Sequence, residues 1–323
     1  MRGSAVGCCR ILIGDADVTT SLFAMLLAAS MQQGPDSVLA YAKRALEPFG
    51  DSAALHKAGY FAIGFGGAEK DLSPFQGQHW LAVKAFLKNE PVALEKPWFL
   101  MYLPVRDSLV PIGVAYTQRV EANSASPTEI GGIPADWHVH IICRGIPGEG
   151  QVLADGVQDC LARGGDPGPK QITMVHAWVV PNPDGPYAHD NPALPFIATG
   201  LRPPAHFTSD DRLFAIALGQ SYGARLITAA YIERHAAAAN RATKIDSLRA
   251  TMRGLVDDLR AAERAGDTTR YAAARRKVMT TWSGFVDEYR AISPTSQLRA
   301  EFDKELESML MAMHHHGGDH AGT

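Results

Sequence analysis

Two kinds of hydrophobic patterning divide the chain. From residue 59 to about 200, apolar residues come in short runs bounded by glycine, proline and other turn formers: "WLAVKAFL", "WFLMYLPV", "VPIGVAYTQRV", "WHVHIIC" and "ITMVHAWVV". Their lengths and their β-branched and aromatic content favour strands. No helical pattern alternates with them, so they predict an antiparallel sheet, either a sandwich or an open barrel. Before them, Val38, Leu39, Ala42 and Leu46 recur at helical spacing.

Beyond "LRPPAHFTSDD" the period changes. Ser209 followed by Asp210 and Asp211 reads as a helix start, with acidic groups at the positive end of the dipole. Ile245, Leu248, Met252, Leu255, Leu259 and Ala262 then recur at alternating three- and four-residue steps. Tyr271, Val278, Trp282, Phe285 and Tyr289 continue the stripe in a next helix. Leu298, Phe302, Leu306, Met309 and Met313 form a last one after the Ser293-Pro294 start. About four helices predict an up-and-down bundle or long hairpins. Their stripes form a core, cover the sheet, or join a second copy or another protein. The expected class is therefore α+β: an antiparallel β-rich region over 35–205, a helical region over 206–313, a histidine-rich tail over 314–323, and a leader over 1–34.

Composition narrows the function. The 323 residues are 46% hydrophobic and 20% charged, with a formal net charge of −3, which suits a globular chain large enough for two domains. No basic stripe marks a nucleic-acid surface. No run of 18 apolar residues predicts a membrane-spanning helix. No CxxC pair supports a thiolate zinc ribbon. GxSxG, HExxH, P-loop and GxGxxG motifs are all missing.

The N-terminal stretch "SLFAMLLAASMQQG" has an apolar run, Leu22 to Ala29, with Ala28 and Ser30 at the −3 and −1 positions of a signal-peptidase site. Arg2 and Arg10 lie upstream, although Asp15 and Asp17 interrupt them. The expectation is a periplasmic or secreted protein, with a cytoplasmic one as the alternative. Cleavage near residue 30 would remove Cys8 and Cys9 and leave Cys143 and Cys160 as one disulfide pair, which suits an oxidising compartment.

Candidate chemistry lies in the histidines. In a strand, residues i and i+2 share a face, so "DWHVH" presents His138 and His140 side by side, with Trp137, Val139 and Ile141 turned away. Such a pair of neutral imidazoles suits a transition metal. His176 in "ITMVHAWVV" and His79 in "FQGQHWLAV" also occupy apolar runs, where an imidazole must be hydrogen-bonded or ligated. His79, His138, His140 and His176 are the expected ligands. Asp136, Glu121 and Glu129 are nearby carboxylates, none of them singled out.

The segment "VHAWVVPNPDGPYAHDNPALPF" has two turn signals, Asn182-Pro183-Asp184-Gly185 and Asn191-Pro192. Together with Ala58-Gly59-Tyr60, Gly77-Gln78-His79-Trp80 and "PWFLMYLPVRDSLVPIGVAY", it resembles a group of often exported bacterial proteins without an established activity. The resemblance covers roughly residues 50 to 200 and implies that His79 and His176 share one site. Two positions depart from that pattern: Ala115 stands where an acidic residue is expected, and His189 where an aromatic one is.

The tail "MLMAMHHHGGDHAGT" offers a second group of donors. His314, His315, His316 and His320 supply imidazoles and Asp319 a carboxylate, while Met309, Met311 and Met313 are thioethers that suit Cu(I). The chain therefore reads as a copper- or zinc-binding protein. Alternatively it is a metal-dependent hydrolase or oxygenase on the same ligands, with His189 as acid/base. A third reading is a structural or interaction protein whose core histidines are hydrogen-bonded.

Overall fold

Runs of apolar residues two apart on both faces make strands that are buried on both sides, and the long runs pair as the patterning predicts. A computed structural model describes residues 38–63, 72, 74–122, 124–130, 132–146, 150–154, 156–162, 164–224, 239–292, 300 and 303. The expected leader, Cys8, Cys9, the last helical stripe and the histidine-rich tail, with His314, His315, His316 and His320, lie outside these residues.

In chain order come α1 (Val38–Leu46), α2 (Ser52–Ala58), β1 (Tyr60–Ile63), β2 (Gln78–Ala82), α3 (Val83–Lys88), β3 (Phe99–Val105) and β4 (Ser108–Glu121). A small ribbon, β5 (Glu129–Ile130) and β6 (Ile133–Pro134), leads to β7 (His138–Ile146), β8 (Gly150–Ala154), α4 (Val157–Ala162) and β9 (Asp166–Trp178). Then follow α5 (Leu194–Thr199), α6 (Ser209–Ser221), α7 (Ala239–Ala265) and α8 (Thr268–Ile292). Seven strands form one antiparallel sheet in the order β1-β2-β3-β4-β9-β7-β8, curled into a half-barrel. With the helices that follow, this is the expected α+β class, in its open rather than its sandwich form.

The two faces of the sheet hold separate cores. One buries Trp80, Leu100, Tyr102, Val114, Tyr116, Val175 and Ala177 beneath Val38, Leu39, Ala42 and Leu46 of α1. The other carries Leu81, Phe99, Met101, Ala115, Ile142, Ile172, Met174 and Trp178 and packs against Leu194 and Ile197 of α5. Cys143 of β7 is joined to Cys160 of α4 in a buried disulfide, as the cysteine count suggested. It pins α4 onto the outer strands.

A third core belongs to the helices. α7 and α8 form an antiparallel hairpin that turns at Gly266, whose φ of +64° is the left-handed C-cap geometry glycine favours. Met252, Val256 and Leu259 meet Val278, Trp282, Phe285 and Tyr289, and α6 fills the remaining side with Phe214 to Leu218.

Two local expectations are corrected. "WLAVKAFL" is not one strand: β2 ends at Ala82 and Val83–Lys88 turns as α3. Val83 and Phe86, three residues apart, pack on the core while Leu87 stays exposed, so the helical period wins there. α6 is capped by Thr208, one residue before the expected Ser209. The Thr208 side chain accepts from the Asp211 amide and the Asp211 carboxylate accepts from the Thr208 amide, a reciprocal capping box.

Gly77 shows how tightly the sheet is built. Its φ is +67°, and a Cβ there would lie 2.7 Å from the Tyr102 carbonyl oxygen. Both the left-handed backbone and the lack of space require glycine. Gly77→Ala is expected to destabilise the fold by about 2 kcal/mol, read as a lower denaturation midpoint with an unchanged denaturant slope. A midpoint equal to that of the parent would contradict this packing.

Candidate metal centre

Strand parity sets the first four histidines on one face. His79 shares the face of Leu81 on β2, His138 and His140 that of Ile142 on β7, and His176 that of Met174 and Trp178 on β9. Across the strands, His79 pairs with Met101, His176 with Ala115, His138 with Met174 and His140 with Ile172.

β2 and β9 are three strand positions apart. A flat sheet would hold their backbones roughly 14 Å apart. Yet the Nε2 atoms of His79 and His176 are 3.4 Å from each other. Two features bring them together. The sheet curls, and β4, which crosses between them, presents Gly113 and Ala115 on this face. Nothing larger than a methyl group rises from β4 there, so side chains from either side meet above it. At Gly113 a Cβ would lie 2.7 Å from the Ala177 carbonyl oxygen, so the strand also requires its bareness.

The fifth imidazole comes from the loop after β9. Backbone and side-chain bonds fold this loop back over the sheet. Trp178 donates through its amide to Pro186 O and through Nε1 to Ala188 O. The two asparagines of the Asn-Pro pairs act as clamps: Asn182 Nδ2 donates to Asp190 O, and Asn191 Nδ2 to Pro181 O. Arg212 of α6 grips Asp184 with both of its terminal nitrogens, at 2.7 and 2.5 Å. His189 is thereby held against the face. Its carbonyl accepts from His176 Nδ1, which leaves the neutral His176 ring with its Nε2 lone pair directed to His79.

The result is five imidazoles in one cluster. His138 is the hub, with ring centroids 4.9 Å from His140, 4.9 Å from His176 and 4.1 Å from His189. One nitrogen from each of His138, His140 and His189 can be chosen so that all lie within 4.8 Å of one another, a grouping that could hold a metal ion. Both His138 ring nitrogens are shut off from solvent and make no hydrogen bond among the described residues. His140 is 3% exposed, whereas the His189 side chain is 29% exposed, so the cluster opens to solvent at His189.

All four expected ligands, His79, His138, His140 and His176, are thus in the cluster. His189, assigned outside it as an acid/base, lies inside as well. Asp136, Glu121 and Glu129 are exposed at the surface, and Glu121 pairs with Lys170. The carboxylate at the cluster is Asp190, whose Oδ2 lies 3.5 Å from His189 Nδ1 while its Oδ1 accepts from Gln76 Nε2 at 2.9 Å. Neither Asp190 nor Gln76 figured in the sequence reading. Their signal was adjacency: one follows His189, the other precedes His79 by three residues.

The electrostatics disfavour charge on three of the rings, His79, His138 and His176. Burial first, then His140 and His189, lowers His79 to about 3. Burial also drives His138 and His176 well below the usual histidine range, helped by the surrounding imidazoles. Burial alone would raise Asp190; the adjacent His189 and the Gln76 hydrogen bond overcome it and hold the carboxyl at about 2. Clustered imidazoles with a carboxylate behind one of them form a donor set for a divalent or monovalent transition metal. Compared with protein-family models, curated proteins and solved structures, the chain matches none.

The lowered histidines fix the sign of the acid response. Between the unfolded value near 6.5 and the folded value of about 3, the unfolded chain binds more protons at His79, so stability falls as pH falls. Each such histidine contributes a slope on the order of 1 kcal/mol per pH unit. Metal-free protein is expected to lose stability steadily below about pH 6.5, and His79→Gln to flatten that slope. A slope unchanged by the substitution would contradict the assignment of His79 as a buried neutral ring.

Proposed function

We propose that the protein binds a transition metal, copper or zinc, on the concave face of its sheet. His138, His140 and His189 form the core of the ligand set, with His79 and His176 beside them. The observation that supports this most directly is His138: a polar ring packed against three other imidazoles, its two nitrogens sealed from water and without a hydrogen bond among the described residues. Such a group is costly to bury unless something occupies its lone pair. An ion at about 2.0–2.1 Å from each ligand places tetrahedral nitrogens roughly 3.3 Å apart. The triad's chosen nitrogens lie within 4.8 Å of one another.

In this reading the histidine-rich tail, His314, His315, His316 and His320, is a weaker collecting site, in keeping with its composition. The resemblance noted above, which groups His79 with His176, fits the same picture. The Cys143–Cys160 bond favours an oxidising compartment and hence export. The intact mass of the mature protein is expected to show loss of about the first 30 residues; an unprocessed N-terminus in the native host would contradict export.

One observation favours a second reading, a metal-dependent enzyme. The cluster opens to solvent at His189. Three nitrogen ligands with one position facing water can activate that water for hydrolysis, or bind dioxygen for oxidation.

Metal content tests the binding itself. Full-length chain with the four tail histidines replaced by serine is expected to retain about one equivalent of metal. Adding His138→Ala and His140→Ala is expected to remove it. Retention of the full equivalent in that variant, or none in its parent, would leave the histidines as packed core residues that hold no metal.

A further inference from the structure

We infer that Met174 supplies a thioether to the ion held by His138, His140 and His189, and that the site is thereby built for Cu(I). The inference rests on the metal-binding reading above and deepens it. Met174 is buried at 1% exposure and shares the concave face of β9 with His176, two residues on. In the β7–β9 register it stands directly opposite His138, the hub of the cluster. Side chains of directly opposed residues in an antiparallel pair have Cβ atoms about 4.5–5.5 Å apart. Met174 is therefore flanked by His138 across the strands and by His176 along its own.

The chemistry of the donors then decides between metals. Thioethers are soft and select Cu(I), whereas carboxylates and water suit hard ions. The described cysteines, Cys143 and Cys160, are spent in a disulfide and offer no thiolate. On this face the sulfur beside the hub histidine is that of methionine. The carboxylate present, Asp190, lies at His189 Nδ1, where it orients that ring. Imidazoles and a buried thioether match the demands of a soft, low-charge cation.

Leucine has nearly the volume of methionine, so Met174→Leu keeps the packing and removes the sulfur. The test uses full-length protein with the tail histidines replaced by serine. Cu(I) affinity is measured anaerobically by competition with a bathocuproine chelator, and Zn(II) affinity with a chromogenic zinc chelator. Met174→Leu is expected to weaken Cu(I) at least roughly tenfold and to leave Zn(II) within about twofold. Met252→Leu, in the buried core of the helices, is expected to change neither. Equal loss for both metals, or no loss of Cu(I), would overturn the inference. X-ray absorption on the Cu(I)-loaded parent gives a check independent of any variant: a sulfur in the copper shell that Met174→Leu removes supports it, and an all-nitrogen shell overturns it. A parent that binds zinc well and copper poorly refutes Met174 as a ligand while leaving the histidine site standing; a parent that binds neither refutes the site itself.

Discussion

Everything at the centre depends on a bare strip of β4. Gly113 and Ala115 leave the middle of the concave face open, and the curl of the sheet folds β2 and β9 toward each other above it. Without that strip, His79 and His176 could not approach to 3.4 Å. A large side chain at either position would fill the space that the imidazoles share. The same crowding makes protonation of His79, His138 or His176 unfavourable, because burial and neighbouring imidazoles both act against the charge. Geometry and electrostatics therefore have one origin: several basic groups converging on a largely buried floor that opens to solvent at its His189 edge.

The helical region matters to the site through the loop after β9. Arg212 projects from α6 to Asp184, and the pair is largely shielded from solvent. Asn182 and Asn191 tie the loop to itself, and the Asn191 amide donates to Phe75 O in the segment before His79. This bracing holds the backbone carbonyl of His189 against His176 Nδ1 and so sets which nitrogen of His176 faces the cluster. The imidazole that faces solvent is thus positioned with the help of α6, outside its own loop.

Much of this was legible in the chain. The period-two pairing of His138 with His140 and the apolar settings of His79 and His176 follow from strand parity alone, which places them on the face that the structure shows. The antiparallel sheet and the change to helical period near residue 209 were legible for the same reason. What was not legible was long-range. Nothing local to His189 says that a loop will fold back and bring it within reach of β7, because that depends on Arg212 and on two asparagine clamps. The Asn-Pro pairs read as turns, while their side chains act as tethers. Ala115 read as a missing carboxylate, whereas its smallness is what opens the floor. The end of β2 at Ala82 was missed because "WLAVKAFL" satisfies both periods over so short a run.

The central claim is that these imidazoles converge on one ion. Anomalous diffraction at the absorption edge of the bound metal tests it most directly, on crystals of the full chain loaded with Cu(I) or Zn(II). The account predicts a single strong peak on the concave face, about 2.0–2.3 Å from ring nitrogens of His138, His140 and His189. A map with peaks only at surface or tail residues, and none among these three rings, would contradict it.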